Sequence, residues 1–151
     1  MGQFVELSIH GIYMLQLGGY INILIAVGHI VGLLWADQMF EATGIKEVMD
    51  GHAAIHPALP YLWTVFVAIV FFIFGLYGLS AAGQFRKLPL LKLGVFSVAG
   101  IYLLRGVGEL IFGIPQQQAN PVAETVYSLI AVAIGLLFLI GGLNKWVLKK
   151  A

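Results

Sequence analysis

Cysteine is absent from this 151-residue chain, which excludes disulfides, thiolate metal sites and cysteine redox chemistry together. Charge is scarce as well. Asp, Glu, Lys and Arg make up 10% of the residues, against roughly 25% in an ordinary soluble domain. So few charges cannot cover a surface that water must wet. The net charge of +1 provides no basic field for nucleic acid. No polar stretch is long enough for a soluble domain. No basic leader or cleavage-site pattern precedes the first apolar run, so that run is expected to be retained rather than removed as a signal peptide.

What is present is apolar: 60% of residues are hydrophobic, and the bilayer is the expected solvent. A hydrocarbon core of about 30 Å needs roughly 20 apolar residues as helix. Four runs meet that length, about 12–35, 59–83, 90–113 and 122–148. Backbone in lipid must satisfy its own hydrogen bonds, so each run is expected to be a helix. The fold class expected for residues 1–151 is therefore a single all-α, up-down-up-down four-helix membrane bundle. The breaks between runs are short. "QFRKLP" separates spans two and three, with Pro89 placed to start a helix. "GIPQQQANP" separates spans three and four, with Pro115 and Pro121 bracketing an uncharged loop.

Charge near the span ends orients the bundle. Arg86, Lys87, Lys92, Lys145, Lys149 and Lys150 fall on one side. The first loop, on the other side, carries Asp37, Glu41, Glu47 and Asp50 against Lys46. The positive-inside rule then places both termini in the cytoplasm of a cell with this chain in its cell (inner) membrane.

Within the spans, "YLLRGVGEL" at 102–110 carries Arg105 and Glu109. At 1.5 Å per residue from Leu90, they lie roughly 22 Å and 28 Å along the third span, in its outer part. His29 lies about two turns before the outer end of the first span. If that helix continues past Trp35, Asn22, His29 and Asp37 share one face, extended by Glu41. Intramembrane ionisable residues normally point into the bundle or a wet cavity. His29, Asp37, Tyr102, Arg105 and Glu109 are thus expected to form one outward-facing polar pocket between spans one and three. The plain alternative is a local i,i+4 Arg–Glu brace, an arginine snorkelling to the headgroups, and His29 in an interhelical hydrogen bond.

The first loop holds a second candidate. Asp50, His52 and His56 give D-x-H-x3-H, and histidines at i,i+4 on a helix can share a zinc, with Glu41 or Glu47 completing the set. Gly51 and Pro57 flank these histidines, and a solvated acidic loop is the favoured reading, so no cofactor is expected. A bis-histidine haem would need a mate for His29 at equal depth; His10 and His56 lie elsewhere. Many of the nineteen glycines, among them Gly28, Gly32, Gly78, Gly83, Gly106 and Gly108, are read as sites of close helix packing. Trp35, Tyr61, Trp63 and Trp146 are read as headgroup-level anchors.

The segment "FGLYGLSAAGQFRKLPLLKLGVFSVAGIYLLRGV", residues 74–107, resembles a pattern in small bacterial four-span membrane proteins. There a LYxLSxAG helix end leads through a basic turn into LPLL and then YLLRG. The matching residues are Leu76, Tyr77, Leu79, Ser80, Ala82 and Gly83, then Leu88 to Leu91, then Tyr102 to Gly106, and a first-span histidine such as His29 is similar. The resemblance implies a four-span bundle, puts Arg105 inside the motif and implies no activity. In size and span number the chain is also similar to DoxX-like and sterol-isomerase-like four-helix proteins, a likeness of fold alone.

Three functions compete. The leading one is binding of a lipophilic or amphipathic molecule (a lipid, quinone or acid) in the pocket, with Arg105 suited to a carboxylate or phosphate. The second is an accessory or assembly subunit of a larger membrane complex, or a homo-oligomer. The third is an enzyme on a lipophilic substrate, with His29 or a carboxylate as acid or base.

Overall fold

The computed structural model describes residues 2–113 and 121–146. The loop read between spans three and four lies largely outside them, as do Lys149, Lys150 and the last residues of the fourth span. Every regular element described is helical: α1 (Gly2–Gly32), α2 (Ala36–Ala42), α3 (Lys46–Ile55), α4 (Leu59–Ala82), α5 (Leu91–Gly108) and α6 (Pro121–Trp146). A 3-10 turn, Leu33–Trp35, joins α1 to α2, and a π-helical segment, Glu109–Gly113, prolongs α5.

Four of these helices are long and apolar enough to cross a bilayer, within Ile9–Ala42, Leu59–Ala82, Leu91–Gly113 and Val122–Trp146. The distribution of side chains agrees with lipid as solvent. Leu24, Leu104 and Phe112 stand outward at more than 70% exposure, whereas Asn22 and Ser128 are fully buried. Polar groups inside and large apolar groups outside is the reverse of a water-soluble bundle. The chain is a multi-pass membrane protein.

Contacts along the helices establish antiparallel neighbours. Leu15 of α1 meets Gly141 of α6, and further along α1 Gly18 meets Phe138. On its other flank α1 meets α4, where a Cβ added at Gly78 would lie 2.8 Å from the Gly19 Cα and 2.8 Å from the Leu15 carbonyl oxygen. Only hydrogen fits between backbones that close. On α5 and α6, Gly106 packs on the Ser128 carbonyl and Gly135 on Leu103. Gly28 and Gly108, expected at such seams, face open space instead.

One end of the bundle is tightly tied. α4 ends at Gly83, whose φ of +81° is the left-handed conformation glycine adopts freely. Gln84 N donates to Leu79 O at 2.9 Å and Gly83 N to Ser80 O at 3.1 Å, closing a Schellman motif. The Ser80 hydroxyl donates to Arg86 O at 2.8 Å and accepts from Leu88 N at 3.1 Å. The Tyr77 hydroxyl donates to Pro89 O at 3.3 Å, and the same ring packs on Gly94 of α5. Lys145 of α6 donates to the Ala81 carbonyl. The LYxLSxAG…LPLL residues are therefore the fastening of this turn. The apolar core, including Leu15, Ala81, Val95, Val98, Ile134 and Phe138, fills this half and the middle of the bundle.

The first loop is largely exposed, as expected of a surface segment, but it is helical. Trp35 (φ −131°, ψ 52°) breaks the helix direction, and Met39 of α2 turns back onto Gly32. α3 runs through Gly51 without interruption and ends just before Pro57. With α2 and α3 the chain builds a helical hairpin that folds over the end of the bundle opposite the tied turn, α3 lying on α4.

Candidate functional site

The open end of the bundle contains a cavity of about 1220 Å³. All four spanning helices line it, together with the α2–α3 hairpin. Its deep walls are apolar or aromatic, with Ile25 from α1, Val67 and Phe71 from α4, and Ile130 and Ile134 from α6. Its polar groups come from the helix ends: His29, Glu47, His52, Arg105, Glu109 and Glu124. The hollow is wider than the space between spans one and three that the sequence suggested.

The floor is set by Tyr102. Its hydroxyl donates to Asn22 Oδ1 at 2.6 Å, while Asn22 Nδ2 donates to Gly18 O at 2.8 Å. A phenol and an amide, each unaffordable alone in an apolar interior, satisfy one another there. Phe71 lies tilted and Phe74 edge-on against the Tyr102 ring, with centroids 6.3 and 6.1 Å away. His29 joins the same aromatic group, 5.2 Å from Phe71. Its Nδ1 lies 2.8 Å from Ile25 O; a carbonyl only accepts, so this nitrogen carries the proton and a neutral ring has its acceptor at Nε2.

Arg105 and Glu109 form the central polar pair. Arg105 Nη2 lies 3.1 Å from Glu109 Oε1 and its Nε donates to the same oxygen at 3.2 Å. The other carboxylate oxygen, Oε2, accepts from Ser128 of α6 at 3.0 Å. Glu109 is also where α5 passes into its π-helical turn. Such a widening inserts one residue and re-aims the side chains beyond it, and single π turns recur at functional sites. The i,i+4 brace and the cavity wall are thus the same residues.

Four of the five residues expected at a pocket (His29, Tyr102, Arg105 and Glu109) line this one cavity. Asp37 does not. The side chain of Asp37 is 82% exposed and pairs with Lys46 at 3.4 Å. The 3-10 turn at 33–35 shifts its register, so the stripe from Asn22 to His29 stops at the end of α1.

The outer-loop metal set is also dispersed. Asp50 pairs with Lys46 at 3.0 Å, and His56 Nδ1 accepts from Ala58 N at 3.1 Å. Among the described residues no group of three or more His, Asp or Glu is placed to hold a metal ion. The Asp50 hydrogen bond raises the Lys46 ammonium above its ordinary pKa of 10.5. His52 instead turns to the cavity, and its Nδ1 is buried with no hydrogen-bond partner among the described residues.

Sequence reasoning missed Glu47, Glu124, Trp63 and Tyr127 as lining residues. Trp63, expected as a headgroup anchor, lies 6.1 Å from the His52 ring and forms part of the cavity wall. The available signal was Glu124, a carboxylate opening an otherwise apolar span at the same end of the bundle as Glu109. The depth comparison that singled out Glu109 and Arg105 applies equally to it.

Fold and site together define a four-span membrane protein with an amphipathic cavity at one end. No family model matches the sequence, and no curated protein or solved structure is significantly similar to it.

Proposed function

We propose that this protein binds a lipophilic or amphipathic small molecule in the cavity, its apolar part among Ile25, Val67, Phe71 and Ile134 and its polar head near Arg105, Glu109 and the hairpin. The observation that carries the reading is the cavity itself. Its volume of about 1220 Å³ exceeds the ordinary few hundred to 1,000 Å³ of a small-molecule site. Its walls pass from apolar in the bundle to ionic at the end. A brace would need the Arg105–Glu109 pair but not the hollow behind it.

Charge supports an orientation. The turn carrying Arg86 and Lys87 belongs on the cytoplasmic side by the positive-inside rule, which puts the cavity at the outer face of the cell (inner) membrane and both termini in the cytoplasm. Kinship with the small bacterial four-span group remains part of this proposal, since Tyr77, Ser80 and Gly83 have a structural role that any protein with this turn would share.

The experiment is mass spectrometry of small molecules retained after purification in mild detergent, comparing the native chain with Val67→Trp. Val67 lies on the cavity wall, and a tryptophan there narrows the apolar half of the hollow beside Phe71. A specific molecule present in the native protein and lost from a monodisperse variant supports binding. The same lipid background in both overturns it.

A further inference from the structure

The charge balance of the cavity narrows the class of molecule. The lining contains three carboxylates, Glu47, Glu109 and Glu124, against one guanidinium, Arg105. That guanidinium is already engaged by Glu109. Glu47 and Glu124 have no ion-pair partner among the described residues, whose acidic–basic pairs include Lys46–Asp37, Lys46–Asp50 and Arg105–Glu109. Lys46, the one cation of the hairpin, is held by aspartates away from the lining. The two carboxylates come from different elements, Glu47 from α3 and Glu124 from the first turn of α6. Glu124 reaches the hairpin turn, its Oε1 lying 3.5 Å from where a Cβ on Gly44 would stand.

Three further features fit the same head group. Trp63 and Tyr127 line the cavity, and aromatic faces attract cations through the ring quadrupole. His52, also on the lining, has a buried Nδ1 without a hydrogen-bond partner among the described residues. Glu47 and Glu124 stand where the hollow opens, and their uncompensated negative charge attracts a cation at short range. An acid or phosphate would meet the opposite field, with the charge of Arg105 already balanced by Glu109.

We infer that the cavity takes amphiphiles with a cationic head, such as a quaternary ammonium or protonated amine on an apolar body. This rests on the reading of the cavity as a binding site. The head would lie between Glu47 and Glu124, with the body against the aromatic floor.

Two ions of nearly equal size and opposite charge test it: tetraphenylphosphonium and tetraphenylborate. Equilibrium dialysis against the detergent-purified full chain is expected to show saturable binding of the phosphonium. The borate should bind at least about tenfold more weakly, the ratio expected of a modest Coulomb difference. Glu47→Gln/Glu124→Gln should weaken the phosphonium by about tenfold or more and leave the borate unchanged or tighter. Equal or tighter borate binding, or phosphonium binding indifferent to the double substitution, overturns the cationic class while leaving the cavity a binding site. Saturable binding of neither ion by a monodisperse protein overturns the cationic class, and the mass-spectrometric comparison with Val67→Trp separately decides whether the cavity is a binding site. Competition then separates two sources of the head: displacement by a short-chain phosphatidylcholine indicates a lipid's choline group, and displacement by dodecyltrimethylammonium alone indicates a free cationic amphiphile.

Discussion

The Tyr102 hydroxyl and the Asn22 amide meet at 2.6 Å across the bundle, joining α5 to α1 at the floor of the cavity. The two helices are otherwise separated by α4 and α6, each of which packs on both. One hydrogen bond therefore spans the diagonal of the four-helix arrangement. Tyr102→Phe should destabilise the protein by about 1 kcal/mol, in the range of interhelical hydrogen bonds measured in membranes. A cycle with Asn22→Ala should show coupling in detergent unfolding. Strictly additive effects would mean that the bond is not felt.

The α1–α4 seam makes a sharper forecast. Gly78→Ala should cost about 1–3 kcal/mol, because its methyl would meet backbone that cannot give way. Gly28→Ala, with nothing within 4 Å of the new Cβ, should be neutral or slightly stabilising. Thermal unfolding of the pair in the same detergent decides it, and equal melting temperatures would refute the seam.

Leu90 is the non-glycine residue with positive φ among those described, at +49°, and the residue is 74% exposed. The strain is uncompensated by burial. Leu90→Gly should gain stability, by up to about 1 kcal/mol. A loss would indicate that the leucine side chain holds the turn.

Arg105→Ala would leave Glu109 with Ser128 as its remaining hydrogen-bond donor among the described residues. Stability should fall by about 1 kcal/mol or more, since the cost lies in the uncompensated carboxylate rather than in the lost pair. Adding Glu109→Gln should therefore restore part of it. If the double variant is no better than Arg105→Ala, the pair is not coupled in this way.

The hairpin responds differently. Lys46 is exposed and shared by Asp37 and Asp50, and its raised pKa means its contribution is complete below 10.5 and is lost as pH rises through the raised value. Lys46→Ala should leave global melting unchanged at neutral pH yet speed amide hydrogen exchange at 43–46. Unchanged exchange would make the pairs incidental.

The four spans were legible because hydropathy and punctuation act over twenty residues. Pro60 and Gly83 delimit α4 at Leu59–Ala82, within a residue of the apolar run. Events at the scale of one turn were not. The break at Trp35 has no proline or glycine of its own at that position, so the stripe through His29 seemed free to run on to Asp37. The π turn at Glu109 is written in no periodicity. The α2–α3 hairpin was hidden by Gly51 and by low hydropathy, since a short surface helix gains stability from what it covers more than from its own pattern. Trp63 was assigned by depth, and depth is shared by residues facing lipid and residues facing the hollow. Arg105 and Glu109 stood out because ionised groups in an apolar run are expensive wherever they point.

The Ser80 fastening has a mechanical consequence. With the Tyr77 and Ser80 bonds and the Lys145 contact gathered at one end, the helices are set there like tines in a common handle. For tines so held a given bend moves the far tips most, and at that end the Glu109–Ser128 bond ties α5 to α6. A guest that reaches the hollow from the surrounding acyl chains would slip between such tips sideways, and the turn that grips the far end would determine how wide they part.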